Sequence, residues 1–299
     1  MKKWIVPFLA AFVLLACNLP FTITMNTPTV LTPAVTIEVV TATPTSQQVE
    51  PTATIAATAT TAFNGVEKNL GGVYMAIPAC LASDATGIIM PEVIPTENEY
   101  PAYNPAYRKI SLIGYPLSNK FWQPVVQVYP VARFIELVPD MANTVTKMQQ
   151  ILADKPAEFQ TAIPVVQVPG AAQVFHARVG YLNFKNGQGI GFLTEYAQYY
   201  APVNNHDLFY TYQGLTADGK YWISIFLPVN AAYLQASYNE PAVPADGIAA
   251  PDENSNNLEN EMKTYYVNMV QKLNNTEADA FTPSLSCIAQ FVQSLNVGD

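Results

Sequence analysis

The clearest periodicity lies in the middle of the chain. Residues 173–185 and 188–200 are two runs in which β-branched and aromatic residues alternate with polar or small ones, as strands require. Asn186-Gly187 joins them. That dipeptide is the strongest short hairpin signal, because the central positions of a type I′ turn need positive φ. A two-residue turn there sets Lys185 opposite Gln188, Arg178 opposite Glu195 and His176 opposite Ala197. Residues 206–217 and 220–227 repeat the arrangement around Asp218-Gly219. Four such runs in succession predict an antiparallel meander.

Shorter apolar runs at 72–77, 109–113 and 125–129 read as further strands. Asp140 stands before a helical stripe of Met141, Val145, Met148 and Leu152, and Pro156 disfavours its continuation. Two helices follow the meander. Leu258, Met262, Tyr266, Met269 and Leu273 form one stripe. Leu285, Ile288, Val292 and Leu295 form the other, with Thr282-Pro283 as its expected start. The fold class expected is α+β, an antiparallel meander with covering helices in an α/β sandwich. The order of elements resembles PsbP-like proteins at the level of fold, a likeness that implies no function.

The N-terminus follows different rules. Lys2 and Lys3 precede an apolar run from Trp4 to Leu15, broken once by Pro7. That run is well short of the ~20 residues a membrane-spanning helix needs. It ends in Leu14-Leu15-Ala16-Cys17, which resembles the lipobox of bacterial lipoproteins. The resemblance covers residues 1–17 only. It implies a signal peptide over 1–16, cleavage before Cys17, acyl chains on its sulfur, and a location outside the cytoplasm on a bacterial membrane. Residues 17–63 are then a lipidated linker rich in Thr, Pro, Ala and Val, in which only Glu38 and Glu50 are charged. Such a composition offers no core-forming face, and its reach runs from roughly 40 Å as a coil to ~140 Å fully extended. A single globular domain over 64–299 is expected beyond it.

Charge narrows the partners. The chain holds 14 basic and 23 acidic residues, and removing Lys2 and Lys3 leaves 12 against 23. With no run of Lys or Arg, nucleic acid and electrostatic docking on anionic lipid are both disfavoured. The bilayer is expected as a partner through acylated Cys17 alone. Acylation there leaves Cys80 and Cys287 as an even pair, expected to form a disulfide in an oxidising compartment.

Candidate chemistry is sparse. His176 and His206 are the only histidines, and with Glu195 or Asp207 they would make a metal or acid–base site if the strands converged. The tight ligand spacing of zinc sites is missing, so no metal and no cofactor are expected. Gly187-Gln188-Gly189-Ile190-Gly191 falls at a hairpin tip rather than before a helix, which rules out a dinucleotide loop. Asp252-Glu253-Asn254-Ser255-Asn256 begins like a calcium loop, but Asn257 stands where Gly is required and Lys263 where Glu is required. No Gly-x-Ser-x-Gly elbow occurs.

Aromatics supply the remaining hint. Tyr196, Tyr199, Tyr200, Phe209, Tyr210, Tyr212, Tyr221, Trp222 and Phe226 crowd the meander. Strands favour such residues for packing, and only exposed rings would make a recognition platform. Tyr199, Tyr200, Trp222 and His206 are the candidate binding surface, together with the loop Ala201-Asp207. The function expected is a non-catalytic module binding a cell-wall glycan or an envelope protein. An extracytoplasmic hydrolase with dispersed carboxylates is the alternative.

The anchor generates the first prediction. Cys17→Ser should release the domain from the membrane or leave an uncleaved precursor, while intact mass of the wild-type protein extracted from membranes should show acyl chains on Cys17. An unmodified Cys17 there would refute it.

Overall fold

The computed structural model describes residues 63–94, 103–166 and 170–299. The expected signal peptide, Cys17 and residues 17–62 of the expected linker lie outside the described residues. The expected α+β class is what the chain adopts.

The chain begins with a hairpin of β1 (Gly65–Leu70) and β2 (Val73–Pro78). Strands β3 (Asp84–Met90), β4 (Tyr107–Ile113) and β5 (Val125–Pro130) form a first meander. Helices α1 (Val131–Leu137) and α2 (Met141–Asp154) follow. The second meander holds β7 (Ala177–Phe184), β8 (Gly187–Thr194), β10 (Phe209–Thr216) and β11 (Tyr221–Pro228). Short strands β6 (Ala172–Gln173) and β9 (Tyr196–Ala197) pair beside it. The chain closes with β12 (Asn230–Ala231), α3 (Leu258–Asn275), β13 (Phe281–Thr282), α4 (Leu285–Ser294) and β14 (Asn296–Val297).

The two meanders meet edge to edge where β11 pairs with β5, giving one seven-stranded antiparallel sheet in the order β3-β4-β5-β11-β10-β8-β7. Helices lie on both faces. Met262, Tyr266, Met269 and Leu273 of α3 and Ile288, Phe291 and Val292 of α4 pack on Tyr210, Tyr212, Ile223, Ile225 and Leu227. Val145, Met148 and Leu152 of α2 pack on the opposite face, against Ile190, Phe192 and Trp222. The central strands are therefore buried on both sides, and every residue of β10 is buried. Their polar side chains must find partners inside. Gln213 provides them: its Nε2 donates to Thr211 Oγ1 and Ser224 Oγ, both at 2.8 Å. Its Oε1 accepts from Trp222 Nε1 at 2.8 Å and from the Val166 N–H at 3.2 Å.

The stripe expected on α2 is buried as a unit, with Ile151 added. Asp140 makes no side-chain cap there. The helix ends instead on Lys155 in the left-handed region, φ 46°, directly before Pro156. For α4 the cap differs from expectation. Thr282 belongs to β13, and Ser284 Oγ accepts the Cys287 N–H at 3.1 Å, so Pro283 precedes the cap rather than following it. Thr282-Pro283 is a cis peptide.

The register of the first hairpin also differs. Phe184 faces Gly187 and Asn183 faces Gln188, so the turn residues are Lys185 and Asn186. Two constraints move it. A Cβ on Gly187 would lie 2.1 Å from the Phe184 ring and 2.3 Å from the Leu215 carbonyl oxygen, so this glycine serves a close approach within the sheet. Asn186 is clamped by β14: its Nδ2 donates to the Val297 carbonyl at 2.6 Å and its Oδ1 accepts the Val297 N–H at 3.0 Å. A bulge between Ala177 and Gly180 then separates Arg178 from Glu195 altogether. Arg178 has φ 53°, and its N–H donates to Asn274 Oδ1 at 2.6 Å. By contrast the second hairpin turns on Asp218-Gly219 as expected, with Gly219 at φ 71°.

A three-stranded sheet, β1-β2-β14, sits beside α4. Val73, Met75 and Ile77 of β2 are fully buried, and Ser294 Oγ of α4 bonds both the N–H and the carbonyl of Ala76, at 2.9 and 3.1 Å. Cys80, just after β2, is bridged to Cys287 on α4, with Cα atoms 6.3 Å apart across 207 positions of sequence. Cross-linking so long a loop restricts the unfolded chain strongly. Replacing both cysteines by alanine should lower the unfolding free energy by up to ~5 kcal/mol. Urea titration of wild type and double variant checks this, and equal midpoints would refute it.

Candidate functional site

The loop from β9 to β10 is the most elaborately bonded segment outside the sheet. Asn204 organises it. Its Oδ1 accepts the N–H groups of His206 and Asp207 at 2.9 and 3.1 Å, the local bonding for which asparagine is favoured in turns. Its Nδ2 donates to the Pro202 carbonyl at 3.0 Å and to Asp207 Oδ2 at 2.8 Å. Its own N–H donates to Glu195 Oε1 at 2.8 Å. Helix α3 anchors the start of the loop: the Val203 N–H reaches Tyr265 Oη at 2.9 Å, and Tyr266 Oη reaches the Ala201 carbonyl at 2.9 Å. Asn205 ties the other side to β12, its Oδ1 accepting the Ala231 N–H at 2.8 Å and its Nδ2 reaching the Ala231 and Leu234 carbonyls.

On this frame His206 Nδ1 lies 2.6 Å from Asp207 Oδ1. The segment before β5 closes in from the side. Lys120 Nζ donates to the Asn205 carbonyl at 2.5 Å and to Asn230 Oδ1, and the Phe121 N–H donates to the His206 carbonyl at 3.0 Å. The Phe121 ring stands 6.5 Å from the His206 ring, edge to face.

Burial sets the electrostatics. Glu195 is fully buried, which holds its carboxyl well above the usual range; the charge of Asp207 adds to that, and the Asn204 N–H opposes it. Burial lowers the Lys120 ammonium, with Asp207 pulling it back up. The Tyr199 phenol is raised by burial first and then by the charge of Asp207.

Three large rings remain in solvent around this frame: Phe121 at 58% exposure, Tyr199 at 59% and Tyr238 at 45%. Tyr199 and Tyr238 meet edge to face, centroids 5.7 Å apart. The surface therefore differs from the one the sequence suggests. Tyr199 is exposed as expected, and His206 is half-buried in the frame. Tyr200 packs partly buried against the core. Trp222 is fully buried with its Nε1–H spent on Gln213, because α1 and α2 cover that face. In the loop Ala201-Asp207, Ala201, Val203 and Asn204 are buried and the other four residues are half-buried.

Glu195 and His206 are linked through Asn204 and Asp207, whereas His176 stands apart with its ring edge to face on Phe159, 5.8 Å away. Among the described residues no group of three His, Cys, Asp or Glu side chains is placed to hold a metal ion. Lys120, Phe121 and Tyr238 come from segments with no periodic pattern, so sequence reasoning passed them over. The run Asn204-Asn205-His206-Asp207 was the legible signal, four turn-forming polar residues between apolar strands. No protein-family model, curated protein or solved structure matches this chain.

The buried carboxyl generates a pH prediction. Its folded pKa is raised, so between the ordinary carboxylate range and that raised value the folded state keeps a proton the unfolded state has lost. Stability then falls as pH rises through this window, by up to about 1.4 kcal/mol per pH unit. Glu195→Gln keeps an acceptor for the Asn204 N–H and should flatten that fall. Denaturation midpoints measured across the pH series check it; an unchanged pH profile would refute the assignment.

Proposed function

We propose that this protein is a lipid-anchored, extracytoplasmic binding module without catalytic activity, recognising an envelope component through the Phe121, Tyr199 and Tyr238 rim. The single observation that carries this reading is the rim itself: three exposed rings held around one fully bonded loop. Large rings held rigidly in solvent lose little entropy on binding and bury much area, which is why they dominate recognition surfaces. The surroundings fit. Leu14-Leu15-Ala16-Cys17 resembles a lipobox, residues 17–63 suit a spacer, and the Cys80–Cys287 bridge suits an oxidising compartment. Among the described residues no helix is long and apolar enough to cross a membrane, so attachment in this reading rests on the acylated Cys17. The partners proposed are a cell-wall glycan or an envelope protein.

One observation favours a hydrolase instead, the His206–Asp207 pair with the buried Glu195 carboxyl behind it, whose pKa burial raises. An acid–base dyad needs a substrate-facing partner to do chemistry. Asp207 is already shared between His206 and Asn204, which makes it a brace for the loop.

Tyr199→Ala and Phe121→Ala should each weaken binding to peptidoglycan fragments, envelope polysaccharide or envelope protein several-fold while leaving the melting temperature unchanged. Trp222→Ala should destabilise the fold by ~3–5 kcal/mol, as for a large buried aromatic. Binding insensitive to both rim variants would sink the rim as the site. Turnover of an envelope polymer, abolished by removing a single Asp or Glu, would replace this reading with the hydrolase.

A further inference from the structure

Within the rim, Tyr199 and Tyr238 form a corner. Their planes meet at 75° with centroids 5.7 Å apart, and both rings are open to solvent. Tyr238 occupies a tight turn closed by the Glu240 N–H on the Ser237 carbonyl, at 3.2 Å. That turn is fastened to the loop beneath Tyr199 by the Asn205 N–H on the Gln235 carbonyl, at 2.9 Å. Backbone bonds thus hold the segment that carries Tyr238 against the loop that carries Tyr199.

The charges around it are predominantly negative. Tyr238 Oη donates to Glu253 Oε2 at 3.4 Å, and Glu240 follows two residues after Tyr238. Asp207 stands on the same β9–β10 loop as Tyr199. The basic groups of the neighbourhood are engaged internally: Lys120 Nζ is bonded to Asn205 and Asn230, and the His206 ring is bonded to Asp207. The whole chain carries a formal net charge of −9. Electron-rich ring faces beside carboxylates attract cations, and desolvating an alkylated ammonium is easier than desolvating a small metal ion. A pyranose ring stacks best on a flat aromatic face, and two rings meeting near a right angle do not form a flat platform.

Resting on the reading of this rim as a binding surface, we infer that the Tyr199–Tyr238 corner takes an organic cation. The group recognised is an alkylated ammonium held over the ring faces, with Glu253 and Glu240 as counter-charges. Exposed cation–π contacts are individually modest, so loss of one ring should weaken binding about two- to fivefold and loss of both about tenfold.

The test titrates the full-length protein, in detergent, with choline and with its uncharged carbon isostere, in which a tert-butyl group replaces the trimethylammonium. Tyrosine fluorescence and aromatic NMR shifts report binding. Choline should bind at least about fivefold tighter than the isostere. Tyr199→Leu with Tyr238→Leu should erase that preference, Tyr238→Phe should retain it, and Glu253→Gln and added salt should weaken it. Equal affinity for choline and the isostere, or a preference that survives the double variant, overturns the inference. If choline fails to bind but glycan or protein binding still depends on Tyr199, the cation assignment falls and the binding module stands. If neither ligand class responds to the rim variants, both readings fall.

Discussion

Everything in this fold depends on burying both faces of β10 and β11 while keeping their polar side chains bonded. An unpaired amide or hydroxyl at that depth costs ~1–3 kcal/mol, so bonding the polar side chains on one face of these two strands to one another stabilises the covered sheet. Gln213 closes the set. One amide links Thr211, Ser224, Trp222 and the Val166 backbone, and Ser224 Oγ in turn donates to the Val166 carbonyl at 3.1 Å. With the hub satisfied, α1 and α2 can lie over this face while α3 and α4 lie over the other. The large aromatics of the strands become core, and the rings left in solvent near the β9–β10 loop lie on connecting segments.

The C-terminal strand locks this arrangement at the periphery. Strand β14 pairs with β2 and clamps Asn186 at the tip of the first hairpin, so the small sheet, the hairpin and α4 share one tie. Arg108 adds another: its guanidinium donates to the Gly71 and Gly298 carbonyls at 2.8 and 2.6 Å and stacks on the Tyr221 ring, 4.4 Å away. The Cys80–Cys287 bridge fastens β2 to α4 covalently. Such ties join segments far apart in sequence, the contacts whose loop-closure entropy is largest.

The candidate site follows from the same economy of interior and surface. Loops positioned by a rigid scaffold carry function because their side chains are free of core packing. Here the loop interior is tied to its surroundings through Asn204, Asn205 and the two α3 tyrosines. Only the outermost rings remain in solvent, and backbone bonds join the segments that carry them.

By itself the sequence determined the elements whose signal is local. The period-two runs became β7, β8, β10 and β11, the helical stripes became α2, α3 and α4, and Asp218-Gly219 turned where its glycine allows positive φ. Once the lipobox resemblance sets Cys17 aside, Cys80 and Cys287 are the remaining pair, and they are bridged. Tertiary structure decided the rest, wherever two distant segments compete for one position. Lys185 joined Asn186 in the turn, which β14 clamps, and Gly187 moved into the strand beside the Phe184 ring. Arg178 was bent into a bulge by Asn274, which removed the expected pairing with Glu195. Trp222 left the surface because helices cover both faces, a fact no single strand encodes. The rim is the clearest case: Phe121, Tyr199 and Tyr238 lie on three separate segments, joined only on folding by the Phe121 N–H on His206, the Lys120 ammonium on Asn205 and the Asn205 N–H on Gln235.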